Sequence, residues 1–460
     1  MTGTGLVSRS LSRMKQLMSS RGEQQSEPTA RALERVRGQL HECAEGRGGE
    51  ISTRQRAARL AETYLRLDDS GRLAVLRMIA LEFGPDPTRI EAAHMAYQAS
   101  VGTPSQWDAE AQLRAAMRSQ RLRILTQFNS IPQGVKFLVD LRADLLRFIA
   151  DDPLLKPLDR ELEARLSAWF DVGFLELQRI TWASPAALLE KLVEYEAVLE
   201  IRSWDDLKNR LDSDRRCYAF FHPRMPLEPL IFVQVALLED LADDVQRLLD
   251  IEAPLSDASK ATTAIFYSIS ATQPGLRGVS FGNFLLKRVV DDLKRDFPRL
   301  KTFATLSPVP GLARWAQRNP HELADVINAA DRKRLAAAGV AELEPSSLAA
   351  LLEDSGDSES DSQIVQALRE PLLRMAARYL VHASRGGQPE DAVARFHLGN
   401  GARIERLNWL ADTSPKGLAQ SWGIMVNYLY DPDRIEANLE AFAAGGRIDA
   451  SSAVKRQAKR

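Results

Sequence analysis

Cysteine is almost missing from this chain of 460 residues: Cys43 and Cys217 are the only two, and they lie far apart. Two isolated thiols exclude a disulfide framework and a CxxC metal cluster, and they suit a reducing compartment. Histidine is scarce as well, six in all, with no HxH or HExxH pair, so no metal centre is expected. Charge of one sign is lacking: 61 basic side chains face 62 acidic ones. That balance implies no nucleic acid and no anionic membrane surface as partner. No apolar run is long enough to span a bilayer. What remains is an ordinary globular mixture, 45% apolar and 27% charged, in a chain long enough for two or three domains.

The stretch Thr262–Gly311 organises the rest. Ala264–Ile269 is a β-prone apolar run, and a loop containing Gly275, Gly278 and Gly282 follows. The pattern then predicts a helix over Asn283–Phe297, because Leu285, Val289 and Leu293 recur on one face beside Leu286 and Val290. Pro298 stops it, and Lys301–Leu306 reads as a short strand ending at Ser307, with Pro308 and Pro310 preventing its continuation. A strand–loop–helix–strand crossover places its two strands parallel. A glycine loop feeding a helix N-terminus is an anion site, since free amides and the helix dipole both favour negative charge. Arg277 adds a side-chain ligand for phosphate. A pyrophosphate-bearing ligand fits; the spacing is neither GxGxxG nor a Walker loop, and a plain βαβ turn stays open.

Residues 1–25 read as a flexible basic tail. Met1–Gly22 carries Arg9, Arg13, Lys15 and Arg21 with several serines and no acid, a composition shared by presequences and by disordered tails, of which the tail is preferred. Residues 26–201 read as a helical bundle suited to oligomerisation, with helices expected over Ala30–Ala44, Thr53–Leu67, Arg72–Phe83, Trp107–Asn129, Gly134–Ala150 and Glu161–Phe170. Pro85–Pro87, Pro104, Pro132 and Pro153–Pro157 read as breaks. Ser184-Pro185 reads as the cap and first residue of another helix, and Ser203 as the cap of a short one. Residues 202–445 form the second domain. Cys217–His222 and Leu230–Leu238 are strand-like and joined by a proline-rich loop, and a helix is expected over Leu241–Leu249. Asp354–Ser362 reads as an exposed acidic loop and Gln363–Val381 as helix with Pro371 inside. Trp422–Tyr430 alternates as a strand that closes the sheet, and residues 446–460 read as a charged tail.

Ser307, at a strand end in a proline-held loop, and His397, before the irregular Gly399-Asn400-Gly401, are candidates for chemistry, while a serine bonded to local backbone and a packing or surface histidine stay open. His222, at a strand end before Pro223, reads as structural.

Four separated stretches, FFHPRMPLEPLIFVQVAL, AIFYSISATQPGLRGVSFGNFLLKRVV, FATLSPVPG and FHLGNGARIERLNWLADTSPKGLAQSWGIMVNYLYD, together resemble the malonyl-CoA decarboxylase family, in that family's order. The match spans about Arg216–Tyr430. The resemblance implies an α+β protein: an all-helical N-terminal bundle, then a mixed-sheet catalytic domain similar to the GCN5-related N-acetyltransferase fold. It implies that Arg277, Gly278, Val279, Ser280, Phe281, Gly282 and Asn283 bind CoA, that Ser307 and His397 are catalytic, and that Tyr430 is a pocket residue. It implies malonyl-CoA as substrate and no cofactor; the many apolar faces of the bundle, rather than the resemblance, suit self-association as a homo-oligomer, dimer or tetramer. The family is divided among cytoplasm, mitochondria and peroxisomes, and with no peroxisomal signal the expectation is cytoplasmic. An amine acyltransferase on the same fold and a noncatalytic CoA-binding scaffold are the alternatives.

Overall fold

The computed structural model describes residues 30–45, 49–279, 284–340, 343–353, 359–446 and 448–459. The chain divides into two compact units. One is Met1–Glu176 with the returns Phe221–Pro229 and Gln273–Phe281; the other is Leu177–Phe220, Leu230–Thr272 and Gly282–Arg460.

The first unit is helical. Its described helices are Ala30–Glu45, Glu50–Leu65, Asp69–Glu82, Pro87–Ser100, Gln106–Ala116, Gln120–Phe128, Gly134–Phe148 and Lys156–Trp169. Leu40, Leu76, Leu125, Leu138, Leu145, Leu158 and Leu162 are wholly buried and form its core. Two expectations fail here. Trp107–Asn129 is two helices, because Ser119 is extended and its hydroxyl donates to Glu161 at 2.5 Å. The Pro85–Pro87 break opens a helix instead: Asp86 caps it by accepting from Thr88 N–H, and Pro87 occupies the first turn, where proline costs nothing. Only Ser100 of that helix is buried, so no apolar stripe announces it.

Arg142 is the unusual core residue, at 2% exposed. Its Nε meets Asp159 at 2.9 Å and a terminal nitrogen meets Glu163 at 3.1 Å. Its other terminal nitrogen donates to the carbonyls of Gly275 and Arg277, at 2.9 and 2.7 Å. The glycine loop therefore lies against the helix Gly134–Phe148. A Cβ on Gly275 would stand 1.8 Å from the Val139 carbonyl oxygen, so only glycine fits there.

The second unit is built on an eight-stranded mixed sheet. Its strands are β1 (Glu176–Ile180), β2 (Arg215–Phe221), β3 (Pro229–Leu238), β4 (Thr263–Ala271), β5 (Thr302–Thr305) and β6 (Ser307–Pro308). A separate hairpin is formed by β7 (Ser384–Arg385) and β8 (Gln388–Pro389), and β9 (Arg403–Asn408) and β10 (Met425–Leu429) complete the main sheet. The order is β1-β2-β3-β4-β5-β10-β6, with β9 also on β10. β4 and β5 are parallel, joined by the helix Phe284–Asp296, while β3–β4, β5–β10, β6–β10 and β9–β10 are antiparallel. The expected α+β class and the crossover are both present.

Several local readings are corrected. Residues 26–201 are not all helical: β1 lies within them, and its mainly exposed side chains gave no alternation to read. Ser184 accepts from Thr181 N–H rather than capping, and Pro185 precedes the first helical residue, Ala186. Only Val245–Leu249 of the Leu241–Leu249 segment is helical. Pro308 does not end the sheet, because Ser307–Pro308 pairs with β10 at Val426 and Met425. Trp422–Tyr430 is not an edge: β10 is flanked by β5 and β6 on one side and β9 on the other, and Met425–Tyr428 are all buried. The Asp354–Ser362 loop is helical from Glu359, its first part lying outside the described residues. The charged tail ends in the helix Ser452–Gln457, with Val454 and Ala458 buried beneath its solvated lysines and arginines.

Candidate active site

Side chains two apart on a strand share a face. Thr305 and Ser307 are so related across the β5–β6 junction, and Tyr428 and Tyr430 at the end of β10. The junction interrupts regular pairing: Tyr428 N–H donates to Thr305 Oγ1 at 3.1 Å in place of a carbonyl, and Asn427 Nδ2 donates to the Thr305 carbonyl at 2.7 Å. These side-chain bonds turn Thr305, Ser307, Tyr428 and Tyr430 toward one point.

His397 occupies that point. It lies in the last turn of the helix Ala392–Leu398, not in an irregular loop as its glycine-rich successors suggest. Its carbonyl accepts from Asn400 N–H and Ala402 N–H, both at 3.1 Å, which closes the turn after it. Gly401 has φ +82°, and a Cβ there would be 2.6 Å from the Ile435 carbonyl oxygen, so the turn requires glycine. Asp391 caps the other end of the helix, its Oδ1 accepting from Val393 N–H and Ala394 N–H at 2.9 Å each.

His397 Nε2 lies 3.0 Å from Ser307 Oγ, and Nδ1 lies 2.7 Å from the Tyr430 hydroxyl. Ser307 donates its own hydrogen to Thr305 Oγ1 at 2.8 Å. The serine is therefore an acceptor toward histidine, so Nε2 carries the ring proton and Nδ1 accepts from Tyr430 O–H. The polar chain runs in one direction, Tyr430 to His397 to Ser307 to Thr305. Tyr428 stacks on the imidazole, with ring centroids 4.5 Å apart at 24°. Ser307, His397 and Tyr430 are 6%, 3% and 2% exposed. Burial alone takes the imidazole down to about 3, so it is neutral at neutral pH. The same burial pushes the Tyr430 and Tyr428 phenols up.

The structure thus brings Ser307, His397 and Tyr430 together from positions far apart in sequence. Tyr430, expected only to line a pocket, has its hydroxyl on the histidine. Thr305 and Asp391 were not anticipated; for Thr305, the period-2 relation to Ser307 was the available signal. Arg277, Gly278 and Val279 belong to the first unit. Arg277 is exposed, Val279 is buried, and Gly278 has φ +88°, where a side chain would be strained. Ser280, Phe281, Gly282 and Asn283 lie outside the described residues. His222 is buried, its Nε2 3.0 Å from the Trp169 carbonyl and its Nδ1 accepting from Arg224 N–H. Among the described residues no three His, Cys, Asp or Glu side chains converge as metal ligands would, and no helix is long and apolar enough to cross a membrane. A cavity of about 730 Å³ in the second unit, lined by Val198, Arg202, Gln246, Asp412 and Lys416, includes none of Ser307, His397 and Tyr430.

A buried tyrosine–histidine–serine chain thus stands on a mixed sheet in which β4 and β5 form a helix-linked parallel pair, an α+β arrangement. The pattern of the malonyl-CoA decarboxylase C-terminal domain matches residues 173–460, and that of the malonyl-CoA decarboxylase N-terminal domain matches residues 83–170. The mitochondrial malonyl-CoA decarboxylase of Anser anser anser is 37% identical over 417 residues, covering 87% of this chain and 82% of its own. That of Rattus norvegicus is 36% identical over 408 residues, covering 86% and 82%. The crystal structure of malonyl-CoA decarboxylase from Rhodopseudomonas palustris superposes with a TM-score of 0.81 at 42% identity, over 92% of this chain and 99% of that one. The chain belongs to the malonyl-CoA decarboxylase family.

The cytoplasmic expectation is corrected by the same comparison: the goose and rat relatives are both named as mitochondrial. The expectation rested on a missing peroxisomal signal and on setting aside the basic, acid-free Met1–Gly22, a segment outside the described residues.

Proposed function

We propose that the chain converts malonyl-CoA to acetyl-CoA and CO2 with Ser307, His397 and Tyr430 at the reacting group. Malonyl-CoA contains its own electron sink. As the bond between C2 and the carboxylate breaks, its electron pair passes into the thioester as an enolate, and CO2 leaves. The protein must orient the carboxylate, meet the enolate oxygen and return a proton to C2. No metal or organic cofactor enters this scheme.

The observation that supports the roles is the 3.0 Å contact of Ser307 Oγ with His397 Nε2, on a ring whose other nitrogen is engaged by Tyr430. Ser307 positions the ring and the substrate; its hydrogen is committed to Thr305, and an unassisted serine is a poor base. His397 gives its Nε2 proton to C2. Nδ1 takes the Tyr430 proton in the same step, so the imidazole starts and finishes neutral. Tyr430 regains a proton from solvent as product leaves. A neutral imidazole acting as donor is a known catalytic solution, and here burial is what disfavours the cation.

In this reading Arg277 and the loop Gly278, Val279, Ser280, Phe281, Gly282 and Asn283 hold the CoA diphosphate. The bend at Gly278 and the exposed guanidinium of Arg277 support it, as does the crossover helix Phe284–Asp296 that follows. The chain self-associates as a dimer or tetramer. Support comes from Met95, Val101, Trp107 and Met117, which are 57–73% exposed on and beside the helices Pro87–Ser100 and Gln106–Ala116.

Malonyl-CoA supplied to purified protein without any amine tests the reaction. Release of acetyl-CoA and CO2 is expected; turnover that starts only when an amine is added would instead indicate acyl transfer.

A further inference from the structure

Ser307 and His397 come from elements 90 residues apart, and something must hold them at hydrogen-bonding distance. The Asp391 carboxylate does this with a different job for each oxygen. Oδ1 caps the helix that carries His397, accepting from Val393 N–H and Ala394 N–H. Oδ2 accepts from Gly311 N–H and from Tyr379 O–H, both at 3.3 Å. Gly311 lies four residues beyond Ser307 in the same proline-held loop, Ser-Pro-Val-Pro-Gly. One buried side chain, 2% exposed, thus ties the histidine helix to the serine loop. The approach is close: a Cβ on Gly311 would stand 2.1 Å from the Tyr379 hydroxyl and 3.3 Å from Oδ2.

We propose that Asp391 is a positioning residue for decarboxylation, setting the Ser307–His397 separation through its two oxygens. The proposal rests on the catalytic roles given above for Ser307 and His397. A helix cap alone requires one acceptor oxygen, which asparagine or serine supplies equally well. The second oxygen, buried and receiving two hydrogen bonds, is unnecessary for capping. Without it the Gly311 N–H loses its carboxylate partner and the serine loop can move relative to the ring. Displacements of about 1 Å in such a site cost up to about a hundredfold in rate.

Two variants separate cap from tether. Asp391→Asn keeps an oxygen for the helix and turns an amide donor toward Gly311 N–H; Asp391→Ser keeps the cap and is too short to reach Gly311. In both, kcat for malonyl-CoA should fall about ten- to a hundredfold while KM stays within about twofold. NMR of the protein labelled with 15N-histidine gives a second readout. The Nε2 resonance of His397 should move in Asp391→Asn in the direction it moves in Ser307→Ala, with Nδ1 unchanged. Wild-type kcat in both folded variants, or an unmoved Nε2 resonance, would overturn the proposal. So would loss of folding in both, because the carboxylate would then serve folding rather than alignment. Should Ser307→Ala and His397→Ala themselves retain full turnover, the catalytic reading fails instead, and the resonance still reports whether Asp391 sets the contact.

Discussion

The Tyr430 hydroxyl lies 2.7 Å from Nδ1 of His397, and this contact decides which nitrogen of the ring faces the reaction with a proton. A phenol that donates to Nδ1 leaves the hydrogen on Nε2, the nitrogen that meets Ser307. Tyr430→Phe removes both the tautomer bias and the source of the replacement proton. Its kcat should drop by roughly a hundredfold with KM little changed, since the lost interaction belongs to the proton-transfer step. Steady-state kinetics of the variant check this; a rise in KM at constant kcat would assign Tyr430 to substrate binding instead.

A buried neutral imidazole leaves a pH signature. The pH profile of kcat/KM, which reports free-enzyme groups, should show no inflection near 6.5 from His397. Stability has a defined sign as well. Because the folded-state pKa is depressed, from 6.5 to about 3, the unfolded chain binds a proton that the native protein does not. The stability contribution is complete above pH 6.5 and is lost as pH falls toward 3, by up to about 1.4 kcal/mol per pH unit. His222, also lowered by burial, acts in the same direction. Urea unfolding at pH 7, 6 and 5 should show a shallower acid loss for His397→Gln than for wild type, and equal slopes would argue against a neutral buried ring.

The loop and the reacting group should separate in kinetics. Arg277→Ala is expected to weaken CoA affinity and raise KM without lowering kcat at saturation. Arg142→Met should do the same by releasing the Gly275 and Arg277 carbonyls, and should also destabilise the protein by about 3–5 kcal/mol, because Asp159 loses a buried partner. Calorimetry with free CoA and denaturant titration measure the two effects; unchanged CoA affinity in both variants would remove the loop assignment.

Tyr428 offers a contrast with its neighbour. Its ring stacks on His397, yet its buried hydroxyl has no hydrogen-bond partner among the described residues. Tyr428→Phe keeps the stack and removes an unsatisfied polar atom, so stability should stay level or rise by about 1 kcal/mol, with turnover near wild type. A large loss of turnover would show that the phenol takes part in the reaction.

Much of this architecture was legible from local pattern. The apolar stripe Leu285–Val289–Leu293 marked the crossover helix, and the crossover fixed the parallel β4–β5 pair. Legibility ended where tertiary packing overrides pattern. β1 is an exposed strand without alternation, and the Pro87–Ser100 helix buries only its last residue. β10 is buried on both faces, so the alternation of Ile424, Val426 and Tyr428 hid its internal position. At the site, Ser307 and His397 could be singled out, and the family resemblance put both at one malonyl group; what had no sequence signature is the local geometry of their contact, the β5–β6 interruption and the Asp391 bonds.

The most direct test of the central claim is acetyl-CoA release from malonyl-CoA by wild type, Ser307→Ala and His397→Ala, measured alongside CoA affinity. Wild type should turn over, and each substitution should reduce turnover by on the order of a hundredfold or more while CoA affinity holds. Near-normal turnover in both variants would contradict the account.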